Sequence, residues 1–200
     1  LTVHHVCAKN AQELKPLMRS KYVQSRIGNA YAQAQAYLKK GIPVLFTGTP
    51  CQIEGLKMYL GEQEYAHLYV VAVACHGVPG EIYWKKYLRY LGIQPSAQDL
   101  NFRDKKNGWQ NYFVSFGNFS EPYFQNPYMK LFLKDYILRP SCYNCPAKAR
   151  GAQAYDLLIA DFWGIQQVDP SMFDDKGTSL LLSYSPKGND LIDKMQEKFV

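Results

Sequence analysis

Short apolar runs bounded by turn residues alternate with stretches of helical periodicity along most of this chain. Pro43–Thr47 (PVLFT) and Leu68–Ala74 (LYVVAVA) are free of charge and rich in β-branched residues, and they predict buried strands. Between them Cys51–Leu60 reads as a helix closed by Gly61. Ahead of them Ala30–Lys40 reads as a helix with Gly41 as its C-cap. At the start, Val3–Ala8 predicts a strand and Ala11–Met18 a short helix. After a turn at Gly77–Gly80, an aromatic-rich helix is expected as far as Leu91. Leu100–Phe116 carries two short strands around a turn at Asn107–Gly108, read as a hairpin attached to the main sheet. A helix over Tyr128–Tyr136, strands at Asp156–Ala160 and Thr178–Tyr184, and a helix from Asn189 to the end complete the pattern. Buried runs alternating with helices of roughly ten residues imply a parallel sheet of βαβ units. The expected fold is α/β: a mainly parallel layered sheet with helices on its faces and an inserted β-hairpin, one domain across residues 1–200.

Composition changes this picture little. The 200 residues are enough for a core that is stable without staples. No run approaches the roughly 18 uncharged apolar residues of a membrane span. The first residues, LTVHHVCAKN, lack the basic-then-apolar layout of a secretory signal. A cytoplasmic protein is the expectation. Lys plus Arg number 23 against 17 Asp plus Glu, a net charge of +6. Such an excess by itself indicates a solvated surface. Its distribution adds more: Lys21, Arg103, Lys105, Lys106, Arg139, Lys148 and Arg150 flank candidate site segments and suit an anionic ligand such as a dinucleotide. The sequence has no helix-turn-helix, RNP-type or zinc-finger pattern, so nucleic acid is not the expected partner.

Candidate chemistry enters with cysteine. Cys51, Cys75, Cys142 and Cys145 follow the spacing C-x23-C-x66-C-x2-C, with Cys7 left over. The Cys142–Cys145 pair alone reads as half of a zinc site, half of a cluster site or a redox disulfide. The other two narrow the choice. Cys51 falls just beyond one predicted strand, at the start of a helix, and Cys75 ends the next strand. In a parallel sheet both strand ends open on the same edge, where ligands bind. Amides and dipole at a helix N-terminus also stabilise thiolate, the form that metals and clusters bind. The alternative for Cys75 is plain core packing. Zinc accepts four thiolates in a tetrahedron, and a 4Fe-4S cluster accepts the same four, one per iron; spacing does not separate them. A disulfide is disfavoured in a cytoplasmic chain. Cys7, on a predicted strand among apolar neighbours, is expected to be a core thiol.

Seven segments occur in an order that carries a resemblance: SKYVQSRIG (Ser20–Gly28), VLFTGTPCQIEGLKMYLG (Val44–Gly61), CHGVPG (Cys75–Gly80), FRDKKNGW (Phe102–Trp109), LRPSCYNC (Leu138–Cys145), ADFWGI (Ala160–Ile165) and DDKGTSLLL (Asp174–Leu182). With them the chain resembles the coenzyme F-420 hydrogenase/dehydrogenase beta-subunit family over nearly its whole length. The resemblance implies an iron–sulfur flavoprotein oxidoreductase holding FAD and one 4Fe-4S cluster. Its electrons pass between ferredoxin or a hydrogenase-type partner subunit and a small organic acceptor, the deazaflavin coenzyme or another substrate. Cys51, Cys75, Cys142 and Cys145 are the implied cluster ligands. A ferredoxin-like segment and a first strand ahead of Leu1 are also implied, so a truncated chain is the expectation. Two other readings compete: an electron-relay subunit without its own substrate site, and a degenerate domain with a structural zinc site of four cysteines.

Against that background GTPCQ offers Thr47, Gly48, Thr49, Pro50 and Gln52 as a strand–turn–helix for a cofactor phosphate, with Gly48 and Pro50 making a tight turn. The same turn also serves as a plain connection. SKYVQS offers Lys21, Gln24 and Ser25 to a pyrophosphate or flavin edge, against a helix start capped by Ser20 or Ser25. His76 either bonds cluster sulfur or tunes a flavin, or it simply occupies a turn. Asp161 of ADFWGI lines a flavin pocket or closes the core. FRDKKNGW is an anion-contacting loop or a solvated hairpin beside a buried Trp109. No residue stands out as a catalytic acid or base.

Overall fold

The computed structural model describes residues 2–61, 63–93, 100–150 and 154–196. In chain order they form β1 (Val3–His4), α1 (Ala11–Leu14), β2 (Ser25–Arg26), α2 (Ala30–Leu38), β3 (Val44–Gly48), α3 (Pro50–Leu60), β4 (Leu68–Val73), α4 (Glu81–Tyr90) and β5 (Asn101–Asp104). Then follow β6 (Phe113–Phe116), β7 (Phe119–Pro122), α5 (Pro127–Leu133), α6 (Pro140–Tyr143), α7 (Pro146–Arg150), β8 (Leu157–Asp161), α8 (Ile165–Val168), β9 (Ser179–Ser183) and α9 (Pro186–Met195). The last helix starts ahead of its expected Asn189, because the Ser185 hydroxyl accepts from Gly188 N–H (3.0 Å) and Pro186 suits the first helical position. Its expected extension beyond residue 196 lies outside the described residues.

These elements cluster into two compact units. One comprises Ile27–Cys75, Cys145–Ile165 and Thr178–Val200 and contains the α/β layer. Its sheet runs β3-β4-β8-β9, with the first two pairings parallel and β9 antiparallel to β8. Phe46, Leu68, Val70 and Ala72 alternate along their strands onto one face. There they are buried with Ala34 and Leu38 of α2 and with Ile53, Leu56 and Leu60 of α3, which recur at helical spacing. Burying each large aliphatic side chain contributes roughly 1.5–3 kcal/mol, so the alternation and the helical stripe together fix the register of the layer.

The other unit comprises Leu1–Arg26, His76–Asn144 and Gln166–Gly177. Trp84, Phe102, Tyr128, Met129 and Phe132 are buried at its centre, where Trp84 meets Phe102 and Tyr128 at ring distances of 5.1 Å each. The expected hairpin is present as β5 and β6, and β7 extends it to a three-stranded antiparallel sheet of its own rather than one joined to the parallel sheet. The third strand exists because Gly117, at φ +53°, turns the chain so that Phe116 pairs and stacks with Phe119. At the start, only Val3–His4 is strand, paired in parallel with β2. Cys7 lies beyond that short pairing and is exposed, so it is not the core thiol its apolar neighbours suggested.

Candidate functional site

The parallel pairing of β3 with β4 sets the geometry. Gly48 pairs with Ala72 at the carboxyl ends of the two strands, and Cys51 and Cys75 follow this position at equal distances along the chain. β8 is parallel to β4 and ends at the same edge with Asp161, opposite Ser179 of β9. Phe162 N–H donates to Thr178 O there (2.9 Å). The carboxyl edge of a parallel sheet is thus present beside these positions, and such an edge is where open parallel sheets take ligands.

At that edge Cys51 occupies the first turn of α3. β3 runs to Gly48, the extended Thr49 is the N-cap, and Pro50 opens the helix one residue earlier than expected. The Gln52 side chain reaches back to accept from Thr49 N–H (2.9 Å), as in a capping box. Thr49 Oγ1 lies 3.3 Å from Cys51 Sγ, so the hydroxyl is placed to donate to a thiolate. Tyr31 of α2 supports the same turn by donating its hydroxyl to Gln52 O (2.6 Å). Burial first, and the charge of Cys51 second, raise the Tyr31 phenol above its ordinary value. Gly55 is required beneath it, since a Cβ there would come within 2.7 Å of the Tyr31 hydroxyl. Cys145 directly precedes α7, a short helix that packs against α3, and its carbonyl accepts from Lys148 N–H (3.2 Å). Cys51 and Cys145 therefore stand at the amino ends of two adjoining helices.

Cys142 and most of the remaining expected site residues fall in the other unit. His76, next to Cys75, stacks on Phe132 (4.7 Å) and pairs through Nε2 with Asp135 (3.0 Å). Lys21 donates to the carbonyls of Leu17 (3.2 Å), Met18 (2.7 Å) and Arg19 (3.3 Å), and burial followed by the Arg19 charge lowers its ammonium below the ordinary lysine value. Gln24 N–H donates to Pro79 O (3.0 Å), and Ser25 Oγ bonds His5 Nδ1 (2.8 Å). Lys105 donates to Lys176 O (2.7 Å), and Arg103 is buried over the rings of Trp109 and Tyr112. Of the GTPCQ residues, Gly48 is packed by Gln52 and Phe46, while Thr47 is exposed on β3.

Cys51 is exposed, and Cys75, Cys142 and Cys145 are half-buried. Among the described residues no three or more His, Cys, Asp or Glu side chains are already gathered as a metal-binding group. The donor set nonetheless fits a thiolate-bound centre in chemistry: soft sulfur ligands, one beside a hydroxyl donor and two at helix amino ends. Tyr31, Asp135 and Tyr143 carry no signal in the sequence. Nothing in a chain with 16 tyrosines distinguishes these two tyrosines from the packing ones.

Residues 43–200 match the family model that describes the C-terminal part of the beta subunit of coenzyme F420 hydrogenase/dehydrogenase. The chain belongs to this family. The match begins just ahead of β3 and includes all four spaced cysteines. A search of curated proteins returned no match. Among solved structures, a chain of the F420-reducing NiFe hydrogenase complex from Methanosarcina barkeri, in a xenon derivative, is similar with a TM-score of 0.54 and 15% identity. That similarity covers 90% of this chain and 57% of the other, so the present chain spans little more than half of its structural relative. At this identity the likeness establishes the fold, which is the α/β arrangement read from the sequence pattern.

Proposed function

We propose that this chain is the redox domain of an iron–sulfur flavoprotein, passing electrons between a ferredoxin-like donor or hydrogenase-type partner and a small organic acceptor. The acceptor is the deazaflavin coenzyme or another organic substrate. The observation that carries the reading is the shared sheet edge: of family motifs distant in sequence, GTPCQ and ADFWGI contain the ends of β3 and β8, and CHG follows the end of the adjoining β4. When bound, a 4Fe-4S cluster supplies one-electron transfer, and FAD converts single electrons into a two-electron, hydride-like transfer.

The chain's own residues would hold and shield these groups. Cys51, Cys75, Cys142 and Cys145 supply four thiolates. With Cys51 as a thiolate ligand, Thr49 would donate its hydroxyl to the sulfur and lower the electron density there. Tyr31 fixes the helix turn that carries Cys51. Thr47, Gln52 and Asp161 stand at the same edge for the flavin. Lys21, Gln24, Ser25 and His76 are the further polar contacts that the family resemblance implies for the flavin.

Turnover tests this reading. The chain is reconstituted without oxygen with iron, sulfide and FAD, supplied with reduced ferredoxin, and mixed with the deazaflavin coenzyme. Loss of the coenzyme's visible absorbance is the expected result. A chain that holds both cofactors yet reduces no deazaflavin or related acceptor would be an electron relay, and the oxidoreductase reading would fail.

A further inference from the structure

We propose that Asp135, with His76 and Tyr143, is a positioning device that ties the residue after Cys75 to the residue after Cys142. The inference rests on the cluster reading above and deepens it by naming what holds two ligand-bearing segments in place. Helix α5 ends in a Schellman arrangement: Asp135 N–H donates to Phe132 O (2.9 Å) and Tyr136 N–H to Leu131 O (2.9 Å). Asp135 takes the left-handed position of that motif at φ +63°, where glycine is the usual occupant. Aspartate tolerates this backbone, and its side chain is put to use.

That use is visible on both sides of the residue. The Asp135 carboxylate accepts from His76 Nε2 (3.0 Å), whose ring is stacked on Phe132. The backbone carbonyl of the same residue accepts from the Tyr143 hydroxyl. One residue therefore holds His76 by its side chain and Tyr143 by its main chain. Backbone bonds continue the tie. Arg139 N–H donates to Val78 O (3.0 Å), Pro79 bridges to Leu138, and Cys142 N–H donates to Arg139 O (2.8 Å). Gly77 permits this approach, since a Cβ there would meet Leu138 Cδ1 at 2.5 Å. His76 and Asp135 are both about half exposed, so their pairing adds little to global stability. Placement is what it provides.

The decisive variant is Asp135→Gly, which restores the usual residue of the motif and so leaves folding intact or firmer. Two readouts are taken on it. In the metal-free chain, amide hydrogen exchange at Arg139 and Cys142 is expected to quicken by roughly threefold or more. In the reconstituted chain, release of iron to a chelator is expected to be about tenfold faster. Tyr143→Phe should show the same pattern. Asp135→Asn, which keeps an acceptor for His76 and tolerates the left-handed backbone, should stay within about twofold of the parent. Parental exchange and parental iron release in Asp135→Gly would overturn the proposal, as would faster exchange without faster iron release. A parental chain that takes up no iron refutes the cluster reading instead, and the exchange measurement still decides whether the tie exists.

Discussion

Asp156 joins three parts of its unit through one buried carboxyl. Its Oδ2 accepts from Val70 N–H (2.8 Å) and its Oδ1 from the Ser185 hydroxyl (2.6 Å), the cap of α9. Lys187 Nζ stands 4.0 Å from the same carboxylate and donates to Leu68 O (2.7 Å). Asp156→Ala would leave a buried amide of the central strand without a partner, at a cost of about 2–3 kcal/mol. Urea denaturation measures it, and parental stability would contradict this role. In the other unit, burial pushes the Tyr87 phenol up to about 12, against a smaller opposing effect of the Asn126 hydrogen bond, and burial raises Tyr128 as well. Both stay neutral in the folded chain where an unfolded tyrosine ionises near 10.0. Their contribution is therefore complete below pH 10 and is lost as pH rises from about 10 towards about 12. Urea midpoints across that range should fall, and Tyr87→Phe should flatten the decline; an equal decline in the variant would exclude Tyr87 as its source.

Two motif-bearing loops, FRDKKNGW and DDKGTS, are locked together in the unit that holds β5, β6 and β7. Trp109 N–H donates to Asp175 O (2.7 Å) and Gln110 N–H to Asp175 Oδ1 (3.0 Å). Gly177 lies at φ +93° with Trp109 so close that a Cβ would meet its Cδ1 at 2.4 Å. Gly177→Ala should cost on the order of 2–4 kcal/mol through the clash and the backbone conformation together, visible as a lowered melting temperature; an unchanged value would show that the loops separate freely. This contact is not legible in sequence, because it joins positions far apart through loop backbone rather than through an apolar stripe. The strands and helices of the parallel layer are legible, since Phe46, Val70 and Leu56 carry strong period-two and helical signals. β7 escapes the pattern although Gly117–Asn118 is a fair hairpin dipeptide, and β1 is shorter than its pattern because Val6 and Cys7 look apolar but are exposed. The short helices α6 and α7 around the cysteine pair escape notice for a physical reason. Four- and five-residue helices bury too little to leave a periodic pattern.

For the molecule as a whole, the family match and the shared sheet edge point the same way, and no described helix is long and apolar enough to cross a membrane. The four cysteines are the feature on which the functional account depends. Strand order alone places Cys51 and Cys75 beyond paired strand ends, and GTPCQ already offers Thr49, whereas the Tyr31 bond to Gln52 O and the Asp135 pairing with His76 emerge only from the fold. The most direct measurement is a visible absorption spectrum with iron and acid-labile sulfide analysis on protein purified without oxygen. The account predicts a broad shoulder near 400 nm (an approximate position), about four irons and four sulfides per chain, and loss of all three in Cys142→Ala. A colourless protein, or one carrying zinc in place of iron, would contradict it.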